Sequence, residues 1–203
     1  MPRAFLKTKN RGGHHVYKCT RCGEDILAGQ SYYTWKFNRG GRYYQHADHG
    51  YPLPSQLSHS KIAQLLDAIQ LSGIGGCETT DDIKTALQTV ADTAREVGQE
   101  YSDSADNIES SWPSGNPTSE ACRETADNLD SYADELETWE PSTDWDQDIA
   151  LEDARKQWDE SNPDDEGDAE GIDALVDIAK EEWLDEQRES AQSLMDEHPE
   201  YSG

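Results

Sequence analysis

The sequence predicts an α+β protein: a small β-hairpin module organised by a Cys/His cluster, followed by a mostly α-helical acidic extension built on an antiparallel helical hairpin. Three observations carry this expectation. Two close pairs of metal-ligating residue types, Cys19/Cys22 and His46/His49, bracket two short aromatic strands. From Ile83 onward apolar residues recur at alternating steps of four and three, the signature of a helical seam. The charge is split along the chain: residues 1–62 hold ten Lys/Arg against Glu24, Asp25 and Asp48, giving +7, while residues 63–203 hold seven against forty acids, giving −33. With 33% hydrophobic and 30% charged residues, a single large core is not expected, and two electrostatically distinct bodies are.

The elements follow in order. Residues 1–15, MPRAFLKTKNRGGHH, are basic, Gly-containing and aperiodic, and read as an extended or flexible arm that orders on contact. Residues 16–72 read as the Cys/His module with its following helix. Its strands are Ser31 to Phe37 and Arg42 to His46, joined by Asn38-Arg39-Gly40-Gly41, whose glycines permit a hairpin turn. After Tyr51-Pro52-Leu53-Pro54 one helix is expected from Ser55 to about Leu71, closed by Gly73.

Residues 79–140 read as the helical hairpin. Its first seam runs through Ile83, Leu87, Val90, Ala94, Val97, Tyr101, Ser104 and Ile108, and its second through Cys122, Thr125, Ala126, Leu129, Tyr132, Ala133, Leu136 and Trp139. Ser110 to Pro117 breaks the two apart, with Thr118 or Ser119 as the expected cap of the second helix and Glu120 in its first turn. A pair of helices leaves each seam partly covered, which suggests self-association. Residues 141–203 read as an acidic, helical and partly disordered tail. Within it a short helix carries Trp145, Ile149, Leu151, Ala154 and Trp158, capped by Ser142 or Thr143. A hydrated linker follows at 162–167, and a last helix spans about Ile172 to Glu197 with Ile172, Leu175, Val176, Ala179, Trp183, Ala191 and Leu194 on one side.

The ligand spacing points to one structural Zn²⁺. Cys19-x2-Cys22, 23 intervening residues and His46-x2-His49 supply two thiolates and two imidazoles, the set that closed tetrahedral zinc sites use. The hairpin brings the second pair back to the first, in a zinc-ribbon or treble-clef-like arrangement. The alternative is a pair of free thiols beside unrelated histidines. His14 or His15 could replace one of the second pair, while His59 reads as exposed on a helix and Cys77 and Cys122 as small buried groups. Four cysteines, two of them a C-x-x-C pair, fit a metal site in a reducing compartment better than a disulfide framework.

Strand alternation puts Tyr33, Trp35 and Phe37 on one face, expected to cover the metal site and the following helix. Tyr32, Thr34 and Lys36 take the other, where with Arg11, Lys18, Arg39 and Arg42 they would stack bases and neutralise phosphates of DNA or RNA. The same basic aromatic surface would equally suit a protein. No apolar run is long enough for a signal peptide or a membrane span, so a soluble, intracellular protein with no membrane partner is expected. Neither a Gly-rich phosphate loop nor a catalytic triad can be read, and no enzyme is expected. A metal-dependent nuclease would have only His14, His15, Glu24 and Asp25 to draw on.

The basic start, CTRCGEDILAGQSYYTWKF, the Gly-Gly turn, the second ligand pair and YPLPSQLSHSK together resemble a group of small phage and prophage zinc-binding proteins of unknown function. NIESSWPSGNPTSEACRETADNLDSYADELE resembles their helical part, so the likeness covers roughly residues 1–140. It implies a viral origin, host-cytoplasmic or virion location, and no enzymatic role. Relatives in that group often carry cysteines where this chain has His46 and His49, and some lack the ligands, which implies that zinc is a scaffold. Abundant Asp and Glu with three lysines after residue 62 also resembles proteins adapted to high salt, such as those of a virus of a halophilic archaeon.

These readings converge on a viral accessory protein whose basic residues 1–62 contact nucleic acid or a nucleoprotein complex. Its residues 79–203 would contact a protein partner or a second copy. The rival is a purely protein-interacting or virion-associated structural protein. A variant of that rival is an acidic mimic of nucleic acid, suggested by Trp145 and Trp158 among twelve acids between residues 141 and 170.

Overall fold

A computed structural model describes residues 3–8, 10, 16–37, 41–112, 116–161 and 169–199. The chain is α+β and divides into two compact units, residues 1–67 and 68–203. Among the described residues no helix is long and apolar enough to cross a membrane.

The first unit carries a three-stranded antiparallel sheet in the order β1-β4-β5 and a two-stranded ladder of β2 and β3. The strands are β1 (Phe5–Lys7), β2 (Tyr17–Lys18), β3 (Asp25–Ile26), β4 (Tyr32–Lys36) and β5 (Arg42–His46). β1 corrects the expected loose arm: Phe5 lies opposite Thr34 and Lys7 opposite Tyr32, so β4 becomes the central strand. Asn10 is buried, its side-chain amide donating to the Ile26 carbonyl at 2.7 Å. Arg-Ala-Phe-Leu-Lys is too short for its period of two to be distinctive. It is the free edge of β4 that selects it as a strand.

The single helix expected from Ser55 is two, α1 (Pro54–Leu57) and α2 (Ile62–Leu71). Ser58 is extended, at φ −142° and ψ 151°, and its hydroxyl accepts from the Ser60 amide at 3.0 Å. Clustered serines offer the backbone a local alternative to the helical ladder, and here they take it. His59 is exposed as expected, but in this break, where it stacks on Phe37 at 4.4 Å between ring centroids.

The second unit is helical: α3 (Thr80–Ser111), α4 (Pro117–Glu137), α5 (Gln147–Ser161) and α6 (Ala169–Asp196). α3 and α4 run antiparallel, since partners on α4 and just beyond it climb as those on α3 fall. Arg123 pairs with Glu109 and Asp106, Arg95 with Asp130, Asp134 and Glu137, and Lys84 with Glu140. The expected seam residues Ile83, Leu87, Val90, Ala94, Val97 and Tyr101 are buried. The next buried position is Ala105 rather than Ser104, because helix rotation carries the stripe one residue on. Gly98 permits the close approach: a Cβ there would lie 3.4 Å from the Ala126 carbonyl oxygen.

The caps of α4 and α5 differ from expectation, while that of α3 had no expected residue. Thr79 caps α3 in a capping box with Asp82. Asn116 caps α4, its side chain accepting from Thr118 N at 2.9 Å with Pro117 following, so neither Thr118 nor Ser119 does. α5 begins after Asp146, which accepts from Asp148 N and Ile149 N, while Ser142 and Thr143 bind Gln187 and Trp183 of α6 instead.

The helical hairpin does not leave its seam open. α6 packs against it, with Leu184, Gln187, Ala191 and Met195 buried, and the Tyr132 hydroxyl donates to the Met195 carbonyl at 2.8 Å. α6 therefore contributes Leu184, Gln187, Ala191 and Met195 to this core and covers part of the seam that the hairpin alone would leave exposed. The face of α6 in the core includes Leu184 and Met195, with Trp183 and Leu194 only half-buried beside them. The linker expected at 162–167 lies outside the described residues.

Candidate metal centre and basic sheet face

The first ligand pair sits in a turn between β2 and β3. Cys19 N donates to the Glu24 carbonyl at 2.8 Å and Gly23 N to the Cys19 carbonyl at 2.9 Å, which folds the chain around the sulfurs. Gly23 has φ +76°, a conformation that costs glycine least. Thr20 ties this turn to β5, its amide and hydroxyl both donating to the Tyr44 carbonyl. The second pair comes from the end of β5 and the 3₁₀ turn Ala47–His49, closed by Gly50 N donating to the Ala47 carbonyl. Arg21 links the two ligand loops by donating to the His49 carbonyl at 2.8 Å.

Cys19, Cys22, His46 and His49 form a cluster that can hold a metal ion, with ligand atoms all within 4.8 Å of one another. Three further observations test the fit. Cys22 Sγ and His46 Nδ1 are 3.6 Å apart, and tetrahedral bonds of ordinary length place ligand atoms roughly 3.3–3.8 Å apart. His49 Nε2 is buried with no hydrogen-bond partner, an orphan that a cation in the cluster would satisfy. Burial opposes ionisation of Cys19, yet the amides of Cys22, His46 and Arg21, with the Cys22 thiol, bring its pKa down to about 6. The Glu24 amide favours ionisation of Cys22, but burial and the neighbouring Cys19 hold its thiol above the ordinary value. The surroundings thus favour ionisation of Cys19, and a cation bound in the cluster would displace the proton of Cys22 as well. His14 and His15 lie outside the described residues.

The sheet separates what the alternation pattern joins. The metal cluster and the segment of α1 lie on opposite faces. Trp35 is 3% exposed and donates through Nε1 to the Gln56 carbonyl at 2.8 Å, on the face with Tyr33 and Tyr43. His46 lies opposite Tyr32, on the face with Thr34 and Tyr44. A hairpin whose second strand ends in a ligand has no freedom to place that ligand elsewhere. Tyr32 therefore does not present an open ring. It packs with Tyr17 and Tyr44, with centroids 5.6 and 6.0 Å away, and burial raises its pKa.

Lys36 and Arg42 are exposed at the far end of this same face, opposite one another across β4 and β5. Lys18 is exposed on β2, opposite Asp25 and outside that group. Arg11 and Arg39 lie outside the described residues. Arg3 and Lys7 join Lys36 and Arg42 through β1, lining one groove with them. Their only sequence signal is the alternation of Arg3, Phe5 and Lys7. Comparison with protein-family models, with curated proteins and with solved structures gives no match to this chain.

Proposed function

We propose that residues 1–67 form a zinc-held, ribbon- or treble-clef-like module that contacts nucleic acid through one face of its sheet, while the acidic unit 68–203 engages a protein. The support for zinc is the closed set of two thiols and two imidazoles. Four protein ligands satisfy a tetrahedral ion and leave no position for a reacting water, so the ion acts as a scaffold. It fixes the end of β5 to the β2–β3 turn, and thereby the strands that display the basic residues.

The observation that carries the nucleic-acid reading is the gathering of Arg3, Lys7, Lys36 and Arg42 around one groove. Among the described residues no carboxylate lines it, in a chain whose net charge is −26. Such a local excess of positive charge is kept against the composition of the whole protein and matches a polyphosphate backbone. Four phosphate contacts give a log–log dependence of affinity on salt of roughly −3 to −4. Titration of labelled DNA and RNA, single- and double-stranded, across a salt series tests this. Absence of binding to all of them at low salt would remove the reading.

A second reading rests on a groove in the acidic unit. It has a volume of about 320 Å³, with Trp145, Ile149, Leu175 and Ala179 as its apolar floor and Asp144, Asp146 and Asp153 around it. An apolar floor within an acidic border suits a basic amphipathic segment of a protein partner.

A further inference from the structure

The groove on the sheet contains one group that electrostatics alone does not explain. Thr34, at the centre of β4, is 5% exposed, and its hydroxyl has no hydrogen-bond partner. Buried hydroxyls are nearly always paired, so an orphan at the base of an open groove marks a place where a ligand atom belongs. The register puts that hydroxyl in the middle of the charges. Phe5 lies opposite Thr34, Lys7 opposite Tyr32, and Arg42 opposite Lys36, all on one face. Tyr17, stacked on Tyr44 at 4.2 Å, closes the face toward His46. What remains is a cavity of about 240 Å³ lined by Arg3, Phe5, Lys7, Thr34, Lys36 and Arg42, with Trp35 of the same strand also at its wall.

We infer that this cavity is a seat for a single phosphate group of a single-stranded nucleic acid, with the Thr34 hydroxyl donating to a phosphate oxygen and Phe5 stacking on a neighbouring base. The inference rests on the nucleic-acid reading above and names the site within it. An anion is required because guanidinium and ammonium groups surround the hydroxyl and only donate hydrogen bonds. A tetrahedral phosphate offers several acceptor oxygens to converging donors, and bound arginine can meet two of them at once. Phe5 decides the source. It is 63% exposed beside the seat, where a free phosphate would have no use for it, whereas a strand with unpaired bases stacks on such rings without regard to sequence.

The test uses the full chain loaded with zinc. Binding of a fluorescent single-stranded oligonucleotide is measured by anisotropy for the wild type and for Thr34→Val, Thr34→Ser, Phe5→Ala and Arg42→Gln. Inorganic phosphate is titrated in parallel while the Thr34 amide is followed by NMR. Thr34→Val should fold normally, since the hydroxyl it removes has no partner, and should bind the oligonucleotide about tenfold or more weakly. Thr34→Ser should retain most of the affinity. Phe5→Ala should weaken the oligonucleotide while leaving inorganic phosphate unaffected, and Arg42→Gln should weaken both. Should Thr34→Val fail to fold, Arg42→Gln and the Thr34 amide shift still decide the matter. Wild-type affinity in both Thr34→Val and Arg42→Gln would overturn the seat while sparing the broader nucleic-acid reading. A phosphate-dependent shift of Thr34 with no oligonucleotide binding would overturn that broader reading and the assigned source together. Neither response would overturn all three.

Discussion

On the zinc reading proposed above, stripping the metal from the intact chain should unfold the sheet and spare the helices. Among the described residues of the first unit, the large apolar side chains that are buried are Ile26, Trp35, Leu57, Ile62 and Leu65. At about 1.5–3 kcal/mol each, their burial contributes about 8–15 kcal/mol. A structural zinc site of this type contributes about 10–16 kcal/mol at neutral pH, as much as that apolar core. The second unit has its own core, with Ile83, Leu87, Val90, Leu129 and Leu136 all 0–1% exposed. Amide hydrogen exchange, read by mass spectrometry before and after chelation, resolves the two. Protection in β4 and β5 should fall to that of an unfolded chain, while the centres of α3 and α4 should exchange unchanged. Readdition of one equivalent of zinc should restore the sheet, and Cys19→Ser should mimic the stripped protein. A sheet that stays protected without metal would show that burial suffices and that the cluster is not structural. Loss of protection at Leu87 and Leu129 in step with the sheet would show that the two cores are not independent.

Other outcomes follow from the helical unit. Leu129→Ala should cost about 2–5 kcal/mol in denaturant unfolding, because the cavity opens where Gly98 holds α3 close, and a change below 1 kcal/mol would mean that the seam is loosely packed. Hydrogen bonds from the Arg95 guanidinium, with help from Gln88, hold the Glu137 carboxyl down to about 2. Since the folded value lies below the ordinary 4.5, this pair stabilises fully above about pH 4.5 and its contribution disappears as the pH falls toward 2. Side-chain NMR should show Glu137 titrating near its ordinary value in Arg95→Met; an unaltered titration would assign the shift elsewhere. Gly171→Ala should move the Trp158 indole, since the new Cβ would overlap its Cζ3, and should lower the melting temperature of the helical unit. An unchanged Trp158 environment, measured by fluorescence with the other tryptophans replaced, would contradict that packing.

The sequence by itself determined what depends on neighbours along the chain. The x2 spacing of Cys19/Cys22 and His46/His49 and the glycine after Cys22 were enough to assemble the ligand cluster, because each pair is set by one tight turn and a single hairpin joins the two. The seams through Ile83–Tyr101 and Cys122–Trp139 were legible for the same reason, since helical periodicity is a local property with many repeats to average over. Caps were less legible: Asn116, Thr118 and Ser119 can all accept a backbone hydrogen bond, and the helix begins at Pro117 with Asn116 as its cap. Tertiary structure alone decided the rest. Whether Arg-Ala-Phe-Leu-Lys is an arm or a strand depends on the free edge of β4, nearly thirty residues away. Whether the helical seam is open depends on α6, whose buried Leu184 and Met195 lie beyond α5 in the sequence. The groove around Thr34 needs β1, β4 and β5 in register at once. Non-local pairing of that kind brings Arg3, Lys7, Lys36 and Arg42 together and leaves one buried hydroxyl without a partner, and no spacing within a single segment encodes it.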